Sequence, residues 1–248
     1  MTPLERAFYR RSRAAHLIAI SRSLGGQIER EYGWDRATHV IYHGTDAARF
    51  RPANDPAERE MLRRNKFGLP DRRWIWLFMG EAPKGLSAAI AQLASFPHAH
   101  LLVVSRSDMT DFRAQARSSG VEAQITFHGF DSKAEDAFRA ADVFVYPSGY
   151  DSFGLVVTEA MASGLPVIVG DSIGAAELVV NRQNGLHCLA TDPDSVKACL
   201  KFLDTLSDRG AAIGVEARKT AMIYSWDRCA HDTMLVYEQA LREKALER

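Results

Sequence analysis

Two carboxylates, Asp151 and Glu159, stand eight positions apart in the stretch Tyr146-Pro-Ser-Gly-Tyr-Asp-Ser-Phe-Gly-Leu-Val-Val-Thr-Glu-Ala-Met-Ala-Ser-Gly-Leu-Pro-Val-Ile-Val-Gly170. Between them the pattern predicts a helix start near Phe153, and the first amides of a helix, here around Phe153, Gly154 and Leu155, have no intrahelical partner. Those amides and the helix dipole attract an anion such as a diphosphate. Gly154 removes the side chain that would block its approach. Glu159 is expected about two turns further in, where a carboxylate accepts two hydroxyl hydrogen bonds such as a ribose diol supplies. Asp151, in the loop, has the chemistry to bind sugar hydroxyls or to stabilise positive charge developing at a sugar carbon. The plainer alternative is that Asp151 or Ser152 caps the helix and Glu159 is solvated. Against it, Glu159-Ala-Met-Ala-Ser-Gly-Leu-Pro is largely apolar, and an unpaired carboxylate there is costly.

The elements that position these residues follow from periodicity. Short apolar runs over 74–79, 101–105, 125–128, 142–146, 167–169 and 186–188 read as strands buried on both faces. They alternate with helical patterns that open at Lys84-Gly85 and over 111–118, 132–140, 153–163 and 175–180. Three helices follow over 195–207, 209–224 and 227–244. This alternation predicts an α/β fold with a doubly wound, Rossmann-like parallel sheet. Such sheets bind ligands at the carboxyl ends of their strands. The loops there carry Gly80-Glu81, Ser105-Arg106-Ser107, Gly129, Ser148-Gly149 and Gly170-Asp171-Ser172. Upstream, the pattern predicts a polar helix over 3–15, a short apolar run over 16–20, Ser21 capping a helix over 22–32, and a strand over 39–42. Pro52 and Pro56 mark an irregular linker. The last helix carries Trp226, Tyr237 and Leu241 on an apolar face that must pack on something.

The chain has 248 residues, 46% of them apolar, enough for a substantial core. Lys plus Arg and Asp plus Glu both number 31, so there is no electrostatic case for nucleic acid as a partner. Cys188, Cys199 and Cys229 have no metal or redox spacing and read as buried or incidental thiols of a reducing compartment. No signal core is present, nor a run approaching the roughly 20 apolar residues of a membrane helix. A soluble, cytoplasmic chain is predicted. Arg6, Arg10, Arg11 and Arg13 form either a solvated helix face or a contact with the inner face of a membrane.

Pro147-Ser148 together with Asp151 through Glu159-Ala-Met-Ala-Ser-Gly-Leu-Pro-Val resembles the signature of retaining GT-B glycosyltransferases of the family 4, group 1 type, an acid followed after seven residues by Glu. Other segments fall in that family's order. Val40 to Asp46 and Phe50-Arg-Pro52 resemble the lead into the donor domain. Gly80 to Gly85 resembles the phosphate loop, and Phe127-His-Gly129-Phe130 the strand end beside the nucleobase. Glu177 and Asn184-Gly185-Leu186 match later loops.

The resemblance implies a C-terminal donor-binding domain over 53–248, with 1–52 a remnant of an acceptor-side domain plus linker. It implies that Glu159 binds the ribose of a nucleotide sugar with UDP or GDP as its nucleotide. Asp151 and the amides of Ser152, Phe153 and Gly154 would hold the donor sugar, Leu155 and Val156 would meet the diphosphate, and Lys84 would assist the leaving group. Gly80, Arg106, His128, Gly129 and Phe130 complete the implied donor site. No cofactor or metal is expected. The acceptor is left open as a glycan, a lipid or a small molecule. Three features depart from the family: Asp151 replaces the usual Glu, Gly80-Glu81-Ala-Pro-Lys84 is a short loop with an acid where an arginine is usual, and the glycine-rich loop and acceptor side of the cleft, which the family places in its first domain, have no expected counterpart in the segment before residue 52. Arg106 either compensates Glu81 or is a surface arginine. The implied activity is hexosyl transfer. The alternative is a non-catalytic binding subunit or inactive remnant that needs a partner chain to supply the acceptor domain.

Overall fold

The computed structural model describes residues 7–9, 15–130 and 132–246. The helix expected over 3–15 is therefore seen only as helical residues 7–9, and Arg6, Arg10, Arg11 and Arg13 lie outside the described residues.

A six-stranded parallel sheet forms the core. Its strands are β3 (Trp74–Met79), β4 (Ala99–Val104), β5 (Ile125–His128), β6 (Val143–Tyr146), β7 (Val167–Gly170) and β8 (Leu186–Cys188), in the order β5-β4-β3-β6-β7-β8. Every residue of β3, β4, β6 and β7 is buried. Both faces are thus covered, which is why these strands read as continuous apolar runs and not as alternating ones. The covering helices are α2 (Pro56–Met61), α3 (Leu86–Gln92), α4 (Thr110–Ser118), α5 (Ala134–Ala140), α6 (Leu155–Ala162), α7 (Pro193–Thr205) and α8 (Ala211–Ile223), with α3 touching α4 and α7, α2 touching α5, and α6 touching α8. The strand order reverses between β3 and β6, so the loops that leave their carboxyl ends sit side by side.

Three expectations are corrected. The stretch taken as an irregular linker contains α2, because Asp55 accepts from Glu58 N as its N-cap and Pro56 occupies the first turn. Proline there has no amide to lose and a φ already suited to a helix, so it starts the element that it was expected to interrupt. The helix expected from Phe153 begins at Leu155, with Gly154 at its N-cap at φ 90°. Glu159 therefore lies about one turn in, not two. The strand expected over 39–42 is β2 (Ala37–Val40), in register with β1 (His16–Ala19), whose length sets the ladder.

Helix α1 (Arg22–Tyr32) joins β1 to β2, and Ser21 Oγ accepts from Leu24 N at 3.1 Å as its cap. The C-terminal helix α9 (Trp226–Leu246) lies against this small sheet. There His16 Nε2 meets Glu243 at 2.8 Å, and Val236 is buried. Trp226, Tyr237 and Leu241 stay exposed, with Met234 and Leu235 beside them. Among the described residues no helix is long and apolar enough to cross a membrane.

The turn into α9 is held by Gly44, whose missing side chain leaves room for the backbone of Ser225 and Trp226, while Thr45 N donates to Tyr224 O at 2.9 Å. Gly44→Ala places a methyl group on that backbone and is expected to lower stability by about 2–3 kcal/mol, since the packed neighbours cannot yield. Urea unfolding followed by tryptophan fluorescence checks this, and an unchanged midpoint would show that α9 shifts freely.

Candidate functional site

The site is built by the loops that leave β3, β4 and β6, which backbone contacts lock together. After β3, Gly80 turns the chain, and Lys84 N donates to Glu81 O at 3.0 Å. Gly85, at φ 108°, leads into α3, and a Cβ there would meet Pro147 O at 2.7 Å. Only glycine lets the β3 and β6 loops approach so closely. Ala82 N donates to Ser107 Oγ at 3.0 Å, which ties in the loop after β4. The β6 loop is fixed from its other side by the short 3-10 turn Gly174–Leu178, with Gly174 N donating to Asp151 O at 3.1 Å and Ala175 N to Phe153 O at 2.7 Å.

Asp151 neither caps α6 nor sits in solvent. Its Oδ2 accepts from Lys84 Nζ at 2.9 Å and from Tyr146 Oη at 3.0 Å, and its Oδ1 lies 3.3 Å from Phe153 N. The Tyr146 hydroxyl is held protonated by burial and by the negative charge of Asp151. The helix cap falls to Gly154, which has no side chain to offer, so α6 has no side-chain cap. Val157 N bonds Gly154 O at 2.9 Å, whereas Leu155 N and Val156 N stand at the open end of the helix. Phe153 N, expected among the free amides, is occupied by Asp151.

Two adjoining cavities open here. The one at the start of α6, about 300 Å³, is lined by Lys84, Asp151, Ser152, Phe153, Gly154 and Leu155, with Ile20, His43 and Tyr146 on its walls. The other, about 380 Å³, has Glu159, Arg106 and Phe130 in its lining together with Arg49, Phe50 and Met79. Gly80, Glu81 and Val156 belong to both, so a ligand passing from one to the other crosses the free amides of α6.

Burial pushes the Glu159 carboxyl up to about 7; Arg49 acts the other way and Glu135 adds to the rise. Arg49 is itself drawn to Glu135 at 3.0 Å. The Arg106 guanidinium lies over the Phe130 ring, 3.5 Å from its centroid. Glu81 is exposed in the lining of both cavities. His128 and Gly129 line neither: the His128 ring sits edge-on to Phe67, 5.1 Å between centroids, and its Nδ1 lies 2.8 Å from Gly129 O.

Sequence reasoning missed Tyr146, Arg49 and Ile20 as site residues. The last residue of a buried strand was the available signal for Tyr146. His43 lies between the rings of Phe153 and Trp226, 5.2 and 5.7 Å between centroids. Burial lowers its pKa and so favours the neutral ring.

The wall that carries Ile20 is anchored by Glu177, a residue matched only through resemblance. Its carboxylate accepts from Arg22 N at 2.9 Å, Ser23 N at 2.8 Å and Tyr42 Oη at 2.9 Å, and Ser21 Oγ donates to Ser152 O at 3.1 Å. The Tyr42 hydroxyl is raised to about 12 by burial and by Glu177. Cys188 and Cys199 are buried thiols, pushed up by that burial to about 12 and about 11, which makes them unreactive. Among the described residues no group of three or more His, Cys, Asp or Glu side chains could hold a metal ion.

Because the folded Glu159 carboxyl titrates above its ordinary 4.5, its contribution to stability is present below that value and is lost as the pH rises through about 7. At about 1.4 kcal/mol per pKa unit, the loss is about 3 kcal/mol by pH 8. Glu159→Gln is expected to gain stability over the native chain at pH 8 and to come close to it at pH 4. Chemical unfolding at the two pH values checks this, and an equal difference at both would mean that the carboxyl is not shifted.

Over residues 61–220 the chain matches the family described as glycosyl transferases group 1. It is 32% identical over 241 residues to the D-inositol 3-phosphate glycosyltransferase of Rhodococcus jostii, covering 90% of this chain and 52% of that protein. The solved C-terminal domain of a group 1 glycosyl transferase from Francisella tularensis superposes with a TM-score of 0.62 at 26% identity, covering 73% of this chain and 97% of that one. The Anabaena HepE protein, solved in complex with UDP-glucose, superposes with a TM-score of 0.78 at 20% identity, over 91% of this chain and 64% of that one. The chain spans between about half and three-fifths of the length of the curated relatives it matches. Its sheet is the Rossmann-like C-terminal half of a GT-B fold, and the chain belongs to the group 1 glycosyl transferases.

Proposed function

We propose that the chain binds a nucleoside diphosphate sugar and transfers its hexose with retention to an acceptor hydroxyl, in the manner of family 4. The observation that carries this reading is the pair of joined cavities, one with Glu159 in its lining and the other with the Lys84–Asp151 pair beside the uncapped start of α6. The first suits a nucleoside: Glu159 accepts from the ribose hydroxyls, and Arg106 and Phe130 flank the base. The second suits the diphosphate and sugar. UDP-glucose, the ligand in the HepE complex, has the parts that this division requires, and UDP or GDP is the expected nucleotide.

In this reading the bond between the sugar C1 and the diphosphate oxygen breaks, with its electron pair leaving on the diphosphate. Lys84 Nζ and the amides of Leu155 and Val156 meet that charge without a metal. The acceptor hydroxyl attacks C1 from the same face and gives its proton to the departing oxygen. Asp151 stabilises the positive charge that develops on the sugar. Its hold on Lys84 keeps the ammonium at the lip of the helix before the donor arrives. The acceptor is a glycan, a lipid or a small molecule. In a second reading the chain binds the donor and a partner chain supplies the acceptor side. The exposed face of Trp226, Tyr237 and Leu241 favours that reading.

Calorimetry with uridine and UDP separates the two cavities. Glu159→Ala is expected to weaken both ligands by about 100-fold, the scale of two hydrogen bonds to a charged group. Lys84→Met is expected to weaken UDP by about 10- to 100-fold and to leave uridine unchanged. Equal losses for the two ligands in Lys84→Met would remove Lys84 from the diphosphate, and UDP binding unchanged in Glu159→Ala would sink the site. Uridine affinity is expected to rise from pH 6 to pH 8 as Glu159 ionises, and to be flat over that range in Glu159→Gln.

A further inference from the structure

A third cavity, about 550 Å³, opens at the opposite, amino edge of the sheet and has no part in the donor site. β3 rises about 3.3 Å per residue, so Arg73 at its start and Gly80 beyond its end lie about 20 Å apart. Among the described residues five arginines line this cavity, Arg59, Arg63, Arg72, Arg73 and Arg209, with only two carboxylates, Asp142 and Asp208. The whole chain has no net charge, so this is a local concentration of positive charge.

Both carboxylates are already committed. Asp142 accepts from Ile75 N at 2.8 Å, from Arg63 at 2.7 Å and from Arg59 at 3.5 Å. Asp208 accepts from Gly210 N at 3.0 Å and from Ala212 N at 2.8 Å, at the start of α8. Arg73 donates to Pro97 O, and Arg209 reaches Asp204, outside the cavity lining, at only 3.8 Å. Arg72 has no ion-pair or hydrogen-bond partner among the described residues. Burial pulls down the pKa of Arg59, with Asp142 opposing and Arg63 adding to the fall. Like charges gathered at a partly desolvated surface repel one another, and an anion placed among them removes that cost.

Two of the five arginines adopt a backbone that side chains rarely take: Arg72 has φ 56° and Arg209 has φ 49°. The turns before β3 and before α8 thus hold these guanidinium groups at the cavity mouth at some conformational cost. Guanidinium forks match phosphate oxygens in pairs. Among the described residues no aromatic ring lines the cavity, so none of them would stack on a base. We propose that this cavity binds a small, multiply charged phosphate group, either free or as the headgroup of a lipid, independently of the donor.

The test uses the full chain carrying Lys84→Met, which weakens the diphosphate part of the donor site, with and without Arg72→Asn and Arg209→Asn. Asparagine tolerates the left-handed backbone, so these changes remove charge without adding strain. Calorimetry with inorganic pyrophosphate and sedimentation with phosphatidic acid or phosphatidylcholine vesicles supply the two arms. The expected result is binding of pyrophosphate, or of phosphatidic acid vesicles alone, that falls by about tenfold or more when the two arginines are replaced. The arm that responds identifies the source of the phosphate. Arg73→Gln, which leaves both strained turns intact, should weaken the same arm if the double variant folds poorly. Binding in neither arm, or binding unaffected by these substitutions, would overturn the proposal.

Discussion

The Asp151 carboxylate is the point on which the site turns. An acidic residue just before a helix ordinarily caps it. Here Lys84, Tyr146 and the Phe153 amide hold Asp151 back from α6, and the capping position is left to a glycine. That diversion has two effects. It leaves the amides of Leu155 and Val156 open to a cavity, and it keeps an ammonium group beside them. A carboxylate one methylene longer would have to fold back to make the same three contacts, so the aspartate is consistent with this arrangement.

Most of the fold was legible because the sheet is buried on both faces. Runs such as Trp74–Met79 and Val167–Gly170 have no polar face to confuse their reading. Ser21 and the helix after it were equally clear, since the cap is local. The failures were of two kinds. Pro56 reads as a breaker when taken alone, whereas the pair Asp55-Pro56 is a helix start, an acid at the cap followed by proline in the first turn. The start of α6 was placed two residues early because glycine at φ 90° gives no signal in a pattern of apolar spacing.

The site was legible only in part. Asp151 and Glu159 stood out by type and spacing, and Lys84 only through the resemblance of its loop. Their relations did not, because a contact between residues 84 and 151 depends on which strands are neighbours. Tyr146 was hidden by its own burial, since a core tyrosine and a site tyrosine look alike in sequence until the hydroxyl partner is known. His128 shows the reverse error: a polar residue at the right strand end, but with its ring turned toward Phe67. Glu177 illustrates a third case. Its carboxylate takes up two amides at the start of α1, a helix far from it in sequence, so one acid joins the small β1–β2 unit to the wall of the cavity at the start of α6.

The strand order also sets when such a site can exist during folding. β3 pairs with β4, which follows it closely, but with β6 only across a long intervening segment. Pairings between distant segments carry the larger loop-closure entropy and slow folding. A partly folded chain containing only β3, β4 and β5 has Lys84 but no Asp151 beside it and no open start of α6. The crevice appears when the two halves of the sheet join along Trp76–Val143 and Leu77–Phe144. A ligand that needs the crevice therefore binds only the finished sheet, and it stabilises that state by an amount that grows with the logarithm of its concentration over Kd.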